Sequence, residues 1–340
     1  MRIEHSNGGY DVTATTLASA ADLIPSDARI VTDKTVEQVA SAALAGRHFF
    51  AVEPGESSKS LPVFGELLSW LAKTNASRKT TLVAIGGGVV GDLAGFVAAS
   101  YMRGIPFIQI PTTLLAMVDS SVGGKVGIDL PEGKNLAGAF KPPNAVHIPL
   151  DLLKNLPERQ FRNGMAEVLK TGFILDEALS ERLRRQILDA ASSDLESVVM
   201  RCIELKGEVV RDDEFELTGL RAILNFGHTI GHAVEHASGY RGLLHGEAIS
   251  VGMALEAKLG ESLGITQPGT SQIVIQDLER YGLPTKLDGT LRPRDLIETM
   301  YRDKKAVEGS LGFSLLTCLG GCKLVRDVPA RAVEAVMEQG

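Results

Sequence analysis

Apolar positions in the first part of the chain fall into short, β-branched runs: Ala28–Val31, Phe49–Val52, Leu82–Ile85, Phe107–Ile110 and Ala145–Ile148. Between them lie stretches of helical length, among them Leu61–Lys73 and Val89–Met102. Strands that alternate with helices predict an α/β domain on a parallel sheet. After Pro149 the texture changes to helical runs at Glu167–Leu175, Glu177–Met200, Val234–Ala237, Gly246–Leu263 and Pro293–Tyr301. The pattern therefore predicts two domains, residues 1–150 as an α/β domain and residues 151–340 as a mainly helical one. The first strand is poorly defined, because the N-terminal MRIEHSNGGYDV has no clear apolar run.

The stretch Thr80–Asp129 organises the first domain. A strand runs into Gly86-Gly87-Gly88 and then directly into a helix of small and apolar residues. Bare backbone at such a turn admits an anion to the free N–H groups and positive dipole end of the helix. Gly86, Gly88 and Gly91 satisfy G-x-G-x-x-G, but the acidic residue expected about 20 positions on is absent, that region reading QIPTT. Asp33, after an upstream strand, is a candidate replacement, although its position alone favours a plain turn or cap aspartate. In EPGESSKSL, Glu56 and Lys59 either reach a nucleotide or form a solvated helix entry with Ser60 as cap.

The helical half raises a metal question. His228, His232 and His236 recur at helical spacing in LNFGHTIGHAVEHA, and His245 follows in LHGEA. Two imidazoles four residues apart project to one side and can chelate zinc, so spacing selects His228 and His232, with Glu167 of GMAEVLKTG as carboxylate candidate one turn before Lys170. Lys125, Lys134, Arg221, Lys304 and Lys305 are candidate cations for a small substrate with several negative groups.

Composition narrows the choice. With 35 Lys and Arg against 42 Asp and Glu the formal charge is −7, and 5% of residues are aromatic, which argues against a nucleic-acid surface or an anionic-membrane surface. No secretory signal or apolar run of spanning length is visible, and three cysteines fit a reducing compartment, so a cytoplasmic location is expected. Cys318 and Cys322 read as packing residues.

Taken together, GGGVVGDLAGFVAASYMRG, IPTTLLAMVDSSVGGKVGID, GKNLAGAF, GMAEVLKTG, LNFGHTIGHAVE, LHGEA and RDKK closely resemble the 3-dehydroquinate synthase family of sugar-phosphate cyclases, over about residues 33 to 305. The resemblance implies the dehydroquinate synthase-like fold: an N-terminal nucleotide-binding α/β domain, an all-α C-terminal domain, and an active site between them. It implies a carbon–oxygen lyase of the shikimate pathway that works with NAD and with zinc, or cobalt in its place. The substrate would be 3-deoxy-D-arabino-heptulosonate 7-phosphate.

Position by position, the family's metal ligands match Glu167, His228 and His245, which differs from the pair that spacing selects. Its NAD contacts match Asp33, Glu56, Lys59, Gly87, Gly88, Val89, Asp92, Thr112, Thr113, Asp119, Ser120, Lys134 and Asn135. Substrate-handling positions match Asp119, Lys125, Asn135, Lys170, Lys206, Arg221, Asn225 and Lys304, with His232 as a phosphate and proton residue. Arg103 is expected to reach a neighbouring subunit's site, which implies a homodimer. One segment departs from the pattern: where the family reads like DERE-x-GLR, this chain has Phe215 in place of the arginine and is one residue longer, so the proton-transfer glutamate is Glu216 in preference to Glu214. The alternatives are a valiolone- or inosose-type cyclase, a polyol dehydrogenase of the same fold, which would release reduced cofactor, and a catalytically silent binding protein. The clamp residues Arg103, Lys125, Asn225, His232 and Lys304 favour the carboxylated substrate.

Overall fold

The computed structural model describes residues 1–238, 242–303 and 311–338. Its contacts divide the chain into two units, Met1–Phe161 with Ala190–Phe215, and Arg162–Asp189 with Glu216–Gly340. These units do not coincide with the single cut expected at residue 150. Helix Leu195–Asp212 packs in the first unit, where a Cβ at Gly207 would meet Ile3 Cδ1 at 2.5 Å.

The first unit is built on a seven-stranded sheet. Its strands are β1 (Arg2–His5), β2 (Gly8–Thr15), β3 (Arg29–Asp33), β4 (His48–Val52), β5 (Leu82–Gly86), β6 (Phe107–Pro111) and, after a separate hairpin β7 (Lys125–Leu130) and β8 (Gly133–Phe140), β9 (Ala145–Pro149). The order is β1-β2-β9-β6-β5-β3-β4, all parallel except β1, which runs antiparallel to β2. The five apolar runs of the sequence are four of the five interior strands, β3, β5, β6 and β9, and the β4 edge, and Ile30, Leu82, Ile85, Phe107 and Ile110 are fully buried. Strands buried on both faces read as continuous apolar runs, whereas β2, GGYDVTAT, alternates between buried and exposed positions and escapes that signal. Helix Gly88–Ser100 lies close to both the sheet and the hairpin: a Cβ at Gly95 would come 2.4 Å from Val126 Cγ1 and 3.1 Å from Phe107 Cε1.

The second unit is helical, as expected, with one addition that an all-α reading misses, the hairpin β10 (Leu311–Cys318) and β11 (Gly321–Val328). Its core gathers Ile230, Val234, Leu255, Leu259, Leu296, Phe313 and Val333. The helix expected over Glu177–Met200 is two, Glu177–Arg185 and Leu195–Asp212. Tyr281 holds the break open: its hydroxyl donates to Leu183 O at 3.1 Å and accepts from Leu188 N at 3.3 Å. Among the described residues no helix is long and apolar enough to cross a membrane.

Helices His228–Ala237 and His245–Ser262 cross backbone against backbone. Gly227, with φ of 81°, has room for no side chain, since a Cβ would meet Met253 Cγ at 2.4 Å. On the opposing helix a Cβ at Gly252 would lie 1.9 Å from Gly227 O. Replacing Gly252 by Ala should therefore force the helices apart and lower stability by about 1–3 kcal/mol or more. Urea unfolding checks this, and an unchanged midpoint would show that the crossing tolerates the methyl group.

Candidate active site

The strand order of the first unit reverses between β3 and β5: the chain goes from β3 outward to β4, then returns to β5 on the other side of β3. In open α/β sheets, ligands bind at the carboxyl ends of the strands flanking such a point. Asp33 ends β3, Gly86 ends β5, and Thr112 and Thr113 follow β6. Helix Gly88–Ser100 starts from Gly87 with no capping side chain of its own, and Val89 lies in its first turn. Around this turn, Thr112 Oγ1 and Ser120 Oγ are buried without a hydrogen-bond partner. A Cβ at Gly88 would stand 3.1 Å from Ser120 Oγ, and one at Gly87 3.4 Å from Thr113 Cγ2. Bare backbone, a free helix start and two unsatisfied hydroxyls fit the phosphates of a nucleotide. Of the two readings of Asp33, the structure displays the cap: Oδ1 accepts from Thr35 N at 2.8 Å and Val36 N at 2.9 Å.

Lys59 joins three other candidate nucleotide residues. Buried, it places Nζ 2.6 Å from Asp92 Oδ2 and 3.9 Å from Glu56 Oε1, and it also donates to Asn135 Oδ1. Lys134 Nζ approaches the same Glu56 Oε1 at 3.9 Å. Burial pushes the Lys59 ammonium down, but Asp92, Glu56 and Asp129 outweigh it and hold the pKa above the ordinary lysine value. Burial likewise lifts the Asp92 and Glu56 carboxyls, and their lysine neighbours only partly offset it. Asp119 sits on the π-helical turn Ala116–Ser120, where its Oδ1 and main-chain oxygen hold Lys206 Nζ at 2.5 and 2.7 Å.

In the second unit, Glu167, His228 and His245 offer ligand atoms that lie within 4.8 Å of one another. Glu167 comes from helix Glu158–Leu175 and is 1% exposed; its Oε1 is 3.8 Å from His228 Nε2 and 3.7 Å from His245 Nε2. Neither carboxylate oxygen has a well-directed hydrogen bond, although Lys170 Nζ stands 2.5 Å from Oε2. An under-satisfied buried carboxylate facing two imidazoles fits a divalent cation, and three protein ligands leave further positions open, as in catalytic zinc sites. Burial and then the nearby Lys170, His232 and His245 push the His228 pKa well below the ordinary histidine value, so the ring is neutral and its lone pair available. The pair selected by helical spacing is not the one that meets Glu167: the His232 ring centroid is 5.2 Å from that of His228, but His232 groups with Glu235 and His245.

Three polar residues not marked by the sequence reading hold these ligands. Glu256, fully buried, accepts from Gly227 N at 2.7 Å and Ile230 N at 3.1 Å, closing from a neighbouring helix the start of the helix that carries His228. Asn163, one turn before Glu167, accepts from Gly246 N at 2.6 Å. Glu235 Oε1 lies 3.4 Å from His245 Nδ1. The signal was available only as a buried-face charge: Glu235 and Glu256 interrupt otherwise apolar helix faces.

The remaining candidates are distributed as follows. Arg221 is buried at the start of the turn Arg221–Asn225, and Lys125 is exposed at the start of β7. Asn225 Nδ2 donates to Glu216 Oε1 at 3.4 Å, while Glu214 is tied to the first unit, accepting from Ser6 N at 2.7 Å. Phe215 packs edge-on against Phe140, with centroids 5.2 Å apart. Arg103 is exposed on a turn in which Met102, Arg103 and Gly104 all have positive φ, at 49°, 67° and 120°. Lys304 lies outside the described residues.

A phosphate-binding turn at the switch point of one unit and a carboxylate–diimidazole donor set in the other define a class of two-unit enzymes. The chain belongs to the 3-dehydroquinate synthase family: the models for the 3-dehydroquinate synthase N-terminal and C-terminal parts match residues 49–163 and 164–306. It is 47% identical over 316 residues to the 3-dehydroquinate synthase of Opitutus terrae, covering 90% of this chain and 88% of the relative. It is 46% identical over 291 residues to that of Desulforamulus reducens, covering 85% and 81%. Among solved structures, 2-epi-5-epi-valiolone synthase from Streptomyces hygroscopicus, with NAD+ and Zn2+ bound, is 28% identical with a TM-score of 0.88 over 97% of this chain and 96% of that one. A 2-deoxy-scyllo-inosose synthase complexed with carbaglucose-6-phosphate, NAD+ and Co2+ is 28% identical with a TM-score of 0.86 over 100% and 99%. A probable glycerol dehydrogenase from Sinorhizobium meliloti, at 17% identity and a TM-score of 0.61, shares the fold.

The Lys59 cluster makes a stability prediction. Lys59→Ala strands the largely buried Asp92 and should cost about 3–5 kcal/mol, the range for breaking a buried pair from one side. A double-mutant cycle with Asp92→Ala, followed by chemical denaturation, should show strong coupling; strictly additive costs would mean that the two groups do not support each other.

Proposed function

We infer that this chain is a cyclase that converts 3-deoxy-D-arabino-heptulosonate 7-phosphate to 3-dehydroquinate and inorganic phosphate, the step that its family supplies to aromatic amino acid biosynthesis. One observation carries the choice of substrate over that of another cyclase. Identity to 3-dehydroquinate synthases is 47% and 46%, whereas the 2-deoxy-scyllo-inosose and 2-epi-5-epi-valiolone synthases, though alike over nearly the whole chain, stand at 28%.

Product and phosphate together contain the atoms and electrons of the substrate, so the conversion is redox-neutral and any nicotinamide is regenerated within a turnover. When bound, NAD supplies a reversible hydride acceptor and the divalent ion, zinc or cobalt, a Lewis acid for the substrate's hydroxyl oxygens. The glycine turn, Thr112, Thr113 and Ser120 would hold the dinucleotide's phosphates, with Asp33, Glu56, Lys59, Asp92, Lys134 and Asn135 around it. Glu167, His228 and His245 would hold the ion. Lys125 and Lys206 on the first unit, and Lys170, Arg221 and Asn225 on the second, are the cations and donors suited to a phosphate and a carboxylate. Lys304 is assigned with them from the family pattern alone. His232, beside His228, and Glu216, beside Asn225, are the groups suited to moving protons. Glu216 is the better of the two glutamates, because Glu214 is engaged with the main chain of Ser6.

Arg103 supports a homodimer. The 13-residue helix Gly88–Ser100 separates it from the glycine turn of its own chain by about 20 Å at 1.5 Å per residue. That separation supports a role for Arg103 in the site of a second copy.

The test is one assay with zinc, NAD and the heptulosonate phosphate that follows phosphate, dehydroquinate and NADH together. Equal phosphate and dehydroquinate with no accumulating NADH is expected. NADH build-up would mean a dehydrogenase, and turnover of only uncarboxylated sugar phosphates would move the chain to the other cyclases. For the arginine, mixing inactive Arg103→Ala with inactive His245→Ala should restore activity through hybrid dimers, since the Arg103→Ala chain keeps its metal ligands and borrows an intact arginine. No restoration would place Arg103 in its own chain's site or in none.

A further inference from the structure

His228 and His245 both turn Nε2 toward Glu167, and each has an acceptor at its other nitrogen. For His228 it is a main-chain carbonyl, Phe226 O, 3.1 Å from Nδ1. For His245 it is a side chain, Glu235 Oε1, 3.4 Å from Nδ1. Glu235 is 5% exposed and projects from the helix that begins with His228, two turns further on, into the start of the helix that begins with His245. Asn163 fixes the adjoining main chain through Gly246 N, so the backbone of His245 is set by one helix and its ring faces a carboxylate from another. An imidazole can give a metal the Nε2 lone pair only if the proton sits on Nδ1, and an acceptor beside Nδ1 keeps it there and fixes the ring plane.

We propose that Glu235 is a positioning residue that holds His245 in the Nδ1-protonated tautomer and aims Nε2 at the ion. This rests on the reading of Glu167, His228 and His245 as the metal ligands. Glu235 also groups with His232 and His245 as a ligand set in its own right, a role the same experiment separates.

The experiment strips the purified protein with a chelator and titrates it with Co2+ alone, reading affinity by competition with a chromophoric chelator and geometry by visible absorption. Wild type, Glu235→Gln, Glu235→Ala and His245→Ala are compared, together with melting of the metal-free forms. Glu235→Ala should weaken Co2+ binding roughly 10–100-fold and alter the spectrum. Glu235→Gln, which keeps an oxygen acceptor for Nδ1–H, should recover most of the affinity at an unchanged melting temperature. His245→Ala should lose the site. Wild-type affinity and spectrum in Glu235→Ala would overturn the positioning role while leaving the metal reading intact. Loss as complete as in His245→Ala, unrescued by Gln, would make Glu235 a ligand and also overturn it. A wild type that holds no Co2+ would overturn the metal reading and the proposal with it. Should the alanine variant not fold, nitrogen-15 NMR of histidine in the metal-free wild type decides: a proton on Nδ1 of His245 is expected, and one on Nε2 alone refutes the proposal.

Discussion

A helix that begins at a glycine in the left-handed region has no side chain with which to close its own N-terminus, and in the second unit a buried carboxylate closes it from outside. Glu256 satisfies the N–H groups of Gly227 and Ile230 at the first turn of helix His228–Ala237. The backbone contact of Gly227 with Gly252 requires that arrangement, because any side chain at Gly227 would collide with Met253. The crossing puts the first residues of two helices, His228 and His245, on either side of Glu167. Leaving Glu256 without its partners would leave a charge in the core, so the position of His228 and the stability of the crossing are one constraint.

How much of this could be read from the chain depends on how local each determinant is. Strands β3, β5, β6 and β9 and the glycine turn were legible, since burial on both faces and the strand–turn–helix order are written in consecutive residues, whereas the alternating interior strand β2 was not. Helix Leu61–Lys73 was legible to its last residue for the same reason. The histidine pair that faces Glu167 was not: spacing of four puts His228 and His232 on one face, but the partner that meets Glu167 is His245, which arrives by a helix crossing that no local period encodes. The family motifs, not the periodicity, pointed to His245. The break after Arg185 escaped notice because it is held by Tyr281, nearly a hundred positions away, rather than by a proline or glycine.

The departures from the family pattern acquire a physical sense. Phe215, where an arginine was expected, stacks edge-on against Phe140 of the hairpin β7–β8, an apolar contact that a guanidinium would not make in the same way. On either side of it the chain separates the two glutamates: Glu214 accepts a main-chain bond from Ser6, and Glu216, held at a φ of 58°, meets Asn225. A non-glycine residue at positive φ costs energy that the surroundings must supply, and such positions concentrate at sites where a side chain has to be aimed.

The two units treat the same local device in opposite ways, and the difference separates a binding turn from a structural one. Gly87 and Gly227 each precede a helix and offer no side-chain cap. At Gly227 the buried carboxylate of Glu256 occupies the helix start, which leaves that start nothing to offer a ligand. Around Gly87 stand the hydroxyl of Thr113 and the buried hydroxyls of Thr112 and Ser120, the last two without partners, and the carboxylate of Asp92, past the first turn of the helix, pairs with Lys59. Positive dipole, bare backbone and unsatisfied hydroxyls are left together where an anion would complete them. Lys59, by pairing with Asp92, leaves that carboxylate engaged beside the glycine turn.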